Sequence, residues 1–245
     1  MVPPANARTA TRPAPRAGKA ASSSAAAPTL SREAVIDRAL DVADRDGLAA
    51  VSIRRIAQDF GVTPMALYWH VKNKDELLAA MGDRVIEAVE PADLPADGGL
   101  DRLRPMLHRL VTALSRHPGS TELVQFRILQ CPRGQDLAEQ ALTVLAEAGF
   151  DTERRAQLAR AMLQSAVMLV VGAPGAEITV PEPERQSRRE SKQAALAALP
   201  GERFPHLVQC SAAMFDCDDP QAYYADGIDL FLAGVGTLAN RLTPA

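Results

Sequence analysis

Residues 52–74 read S-I-R-R-I-A-Q-D-F-G-V-T-P-M-A-L-Y-W-H-V-K-N-K and decide how the rest of the chain is interpreted. They predict two short helices joined by a tight turn. Apolar residues recur at helical spacing in the first helix and give it one apolar face: Ile53, Ile56, Ala57 and Phe60. Gly61 follows the last of them, where a left-handed helix end favours glycine. This pattern is typical of a helix-turn-helix, in which the second helix is held out for a DNA groove.

Capping residues support the same division. Ser52 is a suitable N-cap for the first helix, and Thr63 followed by Pro64 is a suitable start for the second. Asn73 with Glu76 forms a capping-box-like pair for a third helix. The second helix presents three consecutive side chains with no core of matching size to bury them: Tyr68, Trp69 and His70.

Helices this short are marginal alone and need a support. Residues 30–46 supply it, because an apolar stripe runs along them: Val35, Ile36, Ala39, Leu40, Val42 and Ala43. Further helices are predicted over 73–89, 100–116, 120–129, 135–148, 151–171, 204–215 and 219–241. Residues 172–200 are rich in proline and charge and predict a mobile loop with a short helix over 192–199. The fold class is therefore all-α.

Composition predicts a soluble globular chain, with 47% hydrophobic and 23% charged residues. No apolar run reaches the length of a bilayer span, so we expect a cytoplasmic protein without membrane contact. No C-x-x-C pair occurs, and we expect Cys131, Cys210 and Cys217 to be reduced and buried. The scattered histidines include no metal-binding motif, so neither a metal nor a cofactor is predicted.

The net charge of −3 and pI near 5.8 argue against a DNA-binding protein. The distribution of charge favours one, because a basic edge of the helix-turn-helix sets four cations against Asp59: Arg54, Arg55, Lys72 and Lys74. Residues 1–28 carry Arg8, Arg12, Arg16 and Lys19 without an acid, and their Ala, Pro and Ser content predicts a disordered tail. The tail is either a solvated leader or an arm that adds DNA contacts.

The motif L-Y-W-H-V-K-N-K, preceded by R-R-I-A-Q-D-F-G-V, resembles the DNA-binding domain of the tetracycline-repressor (TetR) family over residues 30–89. Weaker similarity to the ligand-binding and dimerising domain of the Tet repressor branch lies in E-A-G-F and in D-G-I-D-L-F-L-A-G-V. The resemblance implies a three-helix DNA-binding domain at 29–75 joined, through a connecting helix at 76–90, to a helical effector-binding and dimerisation domain at 76–245.

The resemblance also implies which residues contact a double-stranded operator. Arg54 corresponds to a base-reading arginine, and Tyr68 and Lys74 correspond to phosphate anchors. The full predicted set is Ser52, Arg54, Thr63, Pro64, Met65, Ala66, Tyr68, Trp69, His70 and Lys74. Pro64, Met65 and Ala66 differ from the Tet repressor, so the operator is expected to differ. The alternatives are a surface ion pair for Arg54 and partial burial for Trp69.

For the second domain the resemblance implies an effector cavity, walled by helices 100–116, 135–148 and 151–171. The predicted lining residues are His108, Thr112, Phe126, Gln130, Met162, Gln164 and Met168. Where the Tet repressor binds magnesium-tetracycline, this chain has Glu90, Pro105, Leu123 and Phe126, which argues for a different, hydrophobic effector. The implied homodimer interface uses the two longest apolar helices, through Leu158, Ile228, Phe231, Leu232, Val235 and Leu238.

Together these features predict a repressor released from a palindromic operator by a small hydrophobic effector, controlling an efflux or biosynthetic gene. One alternative is a DNA-binding regulator controlled by a protein partner, which would have a filled second domain. The other is an all-helical enzyme, against which no nucleophile or paired-carboxylate motif is present.

Overall fold

The computed structural model describes residues 1, 30–91, 94–174 and 182–242, and all regular secondary structure within them is helical. The all-α prediction is confirmed. The helices are α1 (Arg32–Asp46), α2 (Ile53–Phe60), α3 (Pro64–Leu67), α4 (Lys74–Glu87), α5 (Leu103–Arg116), α6 (Thr121–Arg127), α7 (Pro132–Glu147), α8 (Thr152–Val171), α9 (Glu182–Ala197), α10 (Pro205–Gln209) and α11 (Pro220–Asn240). The basic tail predicted to be disordered lies outside the described residues.

Helix α1 supports the helix-turn-helix as its apolar stripe predicts. The side chain of Ser31 caps its first turn by accepting a hydrogen bond from the Ala34 amide. All six stripe residues are buried: Val35, Ile36, Ala39, Leu40, Val42 and Ala43. They share one core with the apolar face of α2 and with Leu67 and Val71. Burial of this shared face stabilises helices that are too short to persist alone.

The predicted caps at Ser52, Gly61 and Asn73 are present, whereas Thr63 occupies the N-cap position of α3 without a side-chain hydrogen bond. Ser52 Oγ accepts from the Arg55 amide at 3.2 Å, and Gly61 takes the left-handed conformation with φ of 67°. Asn73 Oδ1 accepts from the Glu76 amide at 2.8 Å and starts α4. The Glu76 carboxylate returns to the amide of Lys72, also at 2.8 Å, one residue before the partner of an ideal capping box.

The second part of the chain is a helical bundle joined to the first through α4. Helix α5 packs against α8 and α11, and α7 packs against α8. Helix α4 packs on α1 in the first part and on α6 in the second, so it is shared by both. Within the described ranges, no helix is both long and apolar enough to cross a bilayer.

Two predicted segments need correction. Residues 182–197 form the 16-residue helix α9, although the sequence predicted a loop with only a short helix at 192–199. Side-chain pairs four residues apart support this polar helix, including Arg188 with Glu184 at 2.7 Å. The helix predicted over 204–215 ends at Gln209 and continues as turns. Helix α10 has no buried residue, so it lacks the packing that extends short helices.

The cysteines are free, as expected, but they are not uniformly buried. Cys131 is buried, Cys217 is half-buried and Cys210 is exposed. The expectation of burial is therefore wrong for Cys210, which lies directly after α10 in a segment that packs little against the core.

Candidate nucleic-acid interface and effector domain

Helix α3 is a four-residue helix with one side buried in the core and the other side exposed to solvent. Leu67 and Val71 are buried and anchor it to α1 and α2. Thr63 has extended backbone at the N-cap, and Pro64 occupies the first turn as predicted. Met65 and Tyr68 are exposed, and Trp69 is 90% exposed. A tryptophan usually loses much of its surface on folding, so this exposure indicates a contact outside the chain and is the opposite of the burial alternative.

The cations of the neighbouring edge divide into paired and unpaired groups. Arg55 lies 3.2 Å from Asp46 and 3.4 Å from Asp59, and Asp59 is also 2.9 Å from Arg38. Arg54, one residue earlier, is exposed and has no carboxylate partner in the described part of the chain. The surface ion pair considered for Arg54 is thus formed by Arg55 instead. Because its charge is neutralised, Arg55 no longer counts among the free cations of the basic edge. Lys72 and Lys74 are exposed beside α4.

The remaining predicted DNA-contacting residues are less accessible. Ser52 is half-buried, and its oxygen already accepts the Arg55 amide, which leaves its hydroxyl proton for another acceptor. Ala66 and His70 are half-buried, whereas Thr63 is exposed. The ten predicted positions belong to three segments, at the start of α2, in or directly after α3, and at the start of α4, and we call them the predicted DNA-binding surface.

Helix α4 connects this surface to the second part through a contact that the sequence did not predict. Arg127 on α6 donates from Nε and Nη2 to the two carboxylate oxygens of Asp83 on α4, both at 2.8 Å. Gly82 is buried here, and a β-carbon at that position would lie 2.8 Å from Arg127 Cγ. No local motif signals this pair, because the two residues are 44 positions apart.

The second part contains a small apolar pocket between α5, α8 and α11. It has a volume of only about 10 Å³, room for about one water molecule, and is lined by Leu107, Met162, Ser165, Ala166, Leu169, Gly227, Ile228 and Phe231. Its third wall is α11, whereas the sequence predicted α7. Gly227 contributes because an added β-carbon would lie 2.2 Å from the Leu169 side chain. A glycine within an apolar helix is a weak signal, and sequence reasoning missed it.

Met162 is the one predicted effector-binding residue that lines this pocket. His108 is half-buried, and five others are exposed: Thr112, Phe126, Gln130, Gln164 and Met168. Gln130 is held by Arg127 and by the Phe126 carbonyl. The seven residues therefore do not converge on this pocket. Periodicity identified their helices correctly but could not determine which way each helix is turned.

The six predicted dimer residues are buried or half-buried within the chain. Leu158, Ile228, Leu232 and Val235 are buried within one chain, so they form its own core and leave almost no surface for a partner. Phe231 and Leu238 are half-buried. Five exposed residues near the ends and middle of α8 and α11 offer apolar surface instead: Met168, Val171, Leu230, Ala233 and Gly234. We call this set the α8–α11 apolar surface.

Comparison with known proteins identifies the family. Residues 35–81 match the family described as bacterial regulatory proteins, tetR family, and residues 90–239 match the tetracyclin repressor-like C-terminal domain. The second match alone covers more than half of the chain. The chain belongs to the TetR family. TetR-family proteins are transcriptional regulators, so the enzyme alternative is excluded.

Similar TetR-family proteins include known repressors. The HTH-type transcriptional repressor DrrR1 of Streptomyces coeruleorubidus is 30% identical over 87% of this chain and 80% of its own. The class D tetracycline repressor protein of Escherichia coli is 26% identical over 84% of this chain and 88% of its own. The structure of Streptomyces coelicolor ActR in complex with actinorhodin has a TM-score of 0.64 at 23% identity, covering 86% of this chain and 98% of that one. At this identity, the structural likeness shows the fold alone.

Proposed function

We propose that this TetR-family regulator is a repressor that binds a palindromic operator as a homodimer and is released by a small hydrophobic effector. The observation that carries the DNA-binding role is the contrast between two adjacent arginines. Arg55 is neutralised by Asp46 and Asp59, whereas Arg54 is exposed without a carboxylate partner in the described residues. An exposed guanidinium without a carboxylate partner suits guanine recognition in a major groove.

The other contacts follow from position and chemistry. Tyr68 and Lys74 are exposed at the two ends of the surface and contact phosphates, which orient α3 on the duplex. Trp69 and His70 contact thymine methyl groups and the backbone. Pro64, Met65 and Ala66 face the base edges and set the operator sequence. Ser52 and Thr63, at the N-caps of α2 and α3, donate to phosphates through their hydroxyls.

The homodimer is supported by the α8–α11 apolar surface. Met168, Val171 and Leu230 are large apolar side chains exposed on two long helices that pack against each other, and exposed apolar side chains of this kind favour an interface. Gly234 has no atom within 4 Å of the position where a β-carbon would stand, so a partner helix has room to approach closely. A twofold pair of chains would present two α3 helices to half-sites one helical turn apart.

The effector proposal rests on the pocket between α5, α8 and α11. Ser165 is the only polar side chain that lines it, so a hydrophobic molecule is favoured. The pocket volume of about 10 Å³ is far below the roughly 300–1,000 Å³ of drug-sized sites, so effector binding requires Met162 and its neighbours to move apart. The ActR complex with actinorhodin supports a natural product as the effector class. The regulated gene would then encode efflux or biosynthesis of such a compound.

Release from DNA follows from the position of α4. A ligand that binds one arrangement of the bundle better than another shifts α6, and the Arg127–Asp83 pair transmits that shift to α4 and the DNA-binding surface. The change in the free-energy difference between the two arrangements equals the difference in ligand binding free energy between them. Since bacterial DNA lies in the cytoplasm, the site of action we propose is the cytoplasm.

The experiment is selection of bound fragments from the source genome at several salt concentrations, with the native mass of the free protein measured in parallel. Recovery of one palindromic site by a dimer supports the proposal, and the neighbouring genes then suggest candidate effectors. Failure to enrich any site from protein stripped of bound ligand by unfolding and refolding would refute it. If the operator is found but no small molecule releases it, control by a protein partner becomes the better explanation.

A further inference from the structure

Asp44, near the end of α1, contacts the turn between α5 and α6. Its Oδ2 lies 2.9 Å from His117 Nδ1, and its Oδ1 accepts from the Gly119 amide at 2.9 Å. A carboxylate only accepts hydrogen bonds, so the proton lies on Nδ1 of His117. The contact joins positions more than 70 residues apart and bridges the two family domains, because Asp44 lies in the first and His117 in the second.

The turn is pressed closely against α1 at the same point. A β-carbon on Gly119 would lie 2.2 Å from the carbonyl oxygen of Ala43, so any larger residue would force the two segments apart. Ser120 and Thr121 are fully buried, and the Thr121 hydroxyl lies 3.1 Å from the His117 carbonyl and 3.3 Å from that of Leu114. These bonds stiffen the turn. We call Ala43, Asp44 and residues 117–121 the Asp44 joint.

The other side of the same α1 turn holds the helix-turn-helix. Asp46, two residues after Asp44, lies 3.2 Å from Arg55 on α2. Arg55 in turn pairs with Asp59, which pairs with Arg38 on α1. Arg54 therefore lies next to a side chain that is tied to the end of α1. The last turn of α1 thus contacts the second domain through Asp44 and α2 through Asp46.

From this arrangement we infer that Asp44 is a positioning residue that fixes the angle between the DNA-binding helices and the effector domain. The inference rests on the proposed function. In the proposed dimer, α4 is not the only connection that sets the separation of the two α3 helices. The Asp44 joint is a second connection. It holds the DNA-binding helices α1 to α3 rigidly enough for the protein to distinguish operators by the spacing of their half-sites.

A purely stabilising role would predict a different result. It would lower stability and affinity for all operators alike, because the DNA-contacting side chains would remain as they are. A positioning role predicts that the protein loses discrimination between half-site spacings while its affinity for a single half-site is unchanged. The ratio of the affinities for operators with the correct and the altered half-site spacing therefore distinguishes the two roles.

The test compares full-length wild-type protein with Asp44→Ala, Asp44→Asn and Gly119→Ala on the selected operator and on versions with one base pair added or removed at the centre. Asp41→Ala is the matched control, since Asp41 lies one turn earlier on α1 and pairs with Arg38 at 3.8 Å. We expect Asp44→Ala and Gly119→Ala to reduce the spacing discrimination about tenfold, within the usual range of coupling between sites. Asp44→Asn still accepts the Gly119 amide and should retain part of it. Wild-type discrimination in folded Asp44→Ala and Gly119→Ala would overturn the inference.

A second measurement does not depend on DNA. Spin labels at Gln58→Cys on α2 and Gln157→Cys on α8, with Cys210 and Cys217 replaced by serine and the buried Cys131 retained, report an intrachain distance when labelled chains are diluted with unlabelled ones. We expect the distance distribution to broaden in Asp44→Ala and to stay narrow in Asp41→Ala. An unchanged distribution would refute the positioning role even if the operator proposal holds. Failure of wild-type protein to select any operator would refute the proposed function, and the distance would still test the joint.

Discussion

Arg127 on α6 and Asp83 on α4 face each other in a two-pronged pair, with Nε to Oδ1 and Nη2 to Oδ2 both at 2.8 Å. Hydrogen bonding to Asp83 raises the pKa of Arg127 and so favours its charged form. Parallel bonds of this kind fix orientation as well as distance. The pair therefore sets how α6 lies across the helix that leads to the DNA-binding surface.

Replacing Arg127 with alanine should lower the free energy of unfolding by about 1–3 kcal/mol, because the partly buried Asp83 loses both donors. Arg127→Lys should recover only part of this loss, since an ammonium cannot form the fork. Denaturant unfolding measures both. The control is Arg188→Ala in the exposed pair with Glu184, for which about 0–0.5 kcal/mol is expected. Equal losses at the two sites would contradict the assignment.

Trp69 is the single tryptophan of the chain, so its fluorescence reports on the turn directly after α3 alone. In free protein its emission should be that of a solvated indole, because the side chain is 90% exposed. Operator DNA should quench or blue-shift the emission as the ring leaves water. Scrambled DNA at the same salt concentration is the control, and an operator complex with unchanged emission would remove Trp69 from the interface.

Changing Arg54 to alanine should weaken operator binding by about 1–3 kcal/mol without changing the melting temperature, since the side chain makes no ion pair in the described structure. Arg54→Lys keeps the charge but not the bidentate geometry, so it should lose most of the sequence discrimination. Affinities for the operator and for a site with the contacted guanine replaced measure the two effects. Full discrimination by Arg54→Lys would reduce Arg54 to a phosphate contact.

Stability at alkaline pH should depend on Tyr224. Burial raises the pKa of this phenol above its ordinary value of 10.0. The unfolded chain therefore releases the proton at lower pH than the folded chain, so this contribution to stability is complete below pH 10 and is lost as the pH rises through the folded-state pKa. The slope of unfolding free energy against pH should be steeper in wild-type protein than in Tyr224→Phe. Parallel slopes above pH 10 would show that the hydroxyl is not buried.

Two glycines of α11 should respond to alanine in opposite ways. Gly227→Ala places a β-carbon 2.2 Å from the Leu169 side chain and should cost about 1–3 kcal/mol in chain stability. Gly234→Ala meets no atom within 4 Å and should stabilise an isolated chain by up to about 1 kcal/mol through helix propensity. If the homodimer packs here, Gly234→Leu should shift the native mass toward monomer. A dimer unaffected by that change would place the interface elsewhere.

Features that depend on a few neighbouring residues were predictable. The caps at Ser52, Gly61 and Asn73 form as expected, because each depends on a backbone bond within five residues. The six-residue stripe of α1 is buried as a whole. Helix α9 was missed, since prolines and charges near its start outweighed the side-chain pairs four residues apart that support it.

The candidate sites also differ in how far they depend on neighbouring residues. The exposed set on α3 was predicted because the buried Leu67 and Val71 leave Tyr68 and Trp69 only the outer face. Of the predicted effector residues, only Met162 lines the pocket between α5, α8 and α11. Pocket walls require the rotation of three helices relative to one another, and long-range packing sets that rotation. The Asp44 joint and the Arg127–Asp83 pair were missed for this reason.

The sequence by itself determined the helical class, the helix-turn-helix and the family, because these depend on local hydrogen bonds, helical periodicity and a continuous motif. Tertiary structure alone decided which of several equivalent side chains meets solvent. Leu230 and Leu232 on α11 are two residues apart, yet the first is 76% exposed and the second 5%. Two positions along a helix turn a side chain by roughly 200°, and only the packing of α11 against α5 and α8 determines which of the two faces the core.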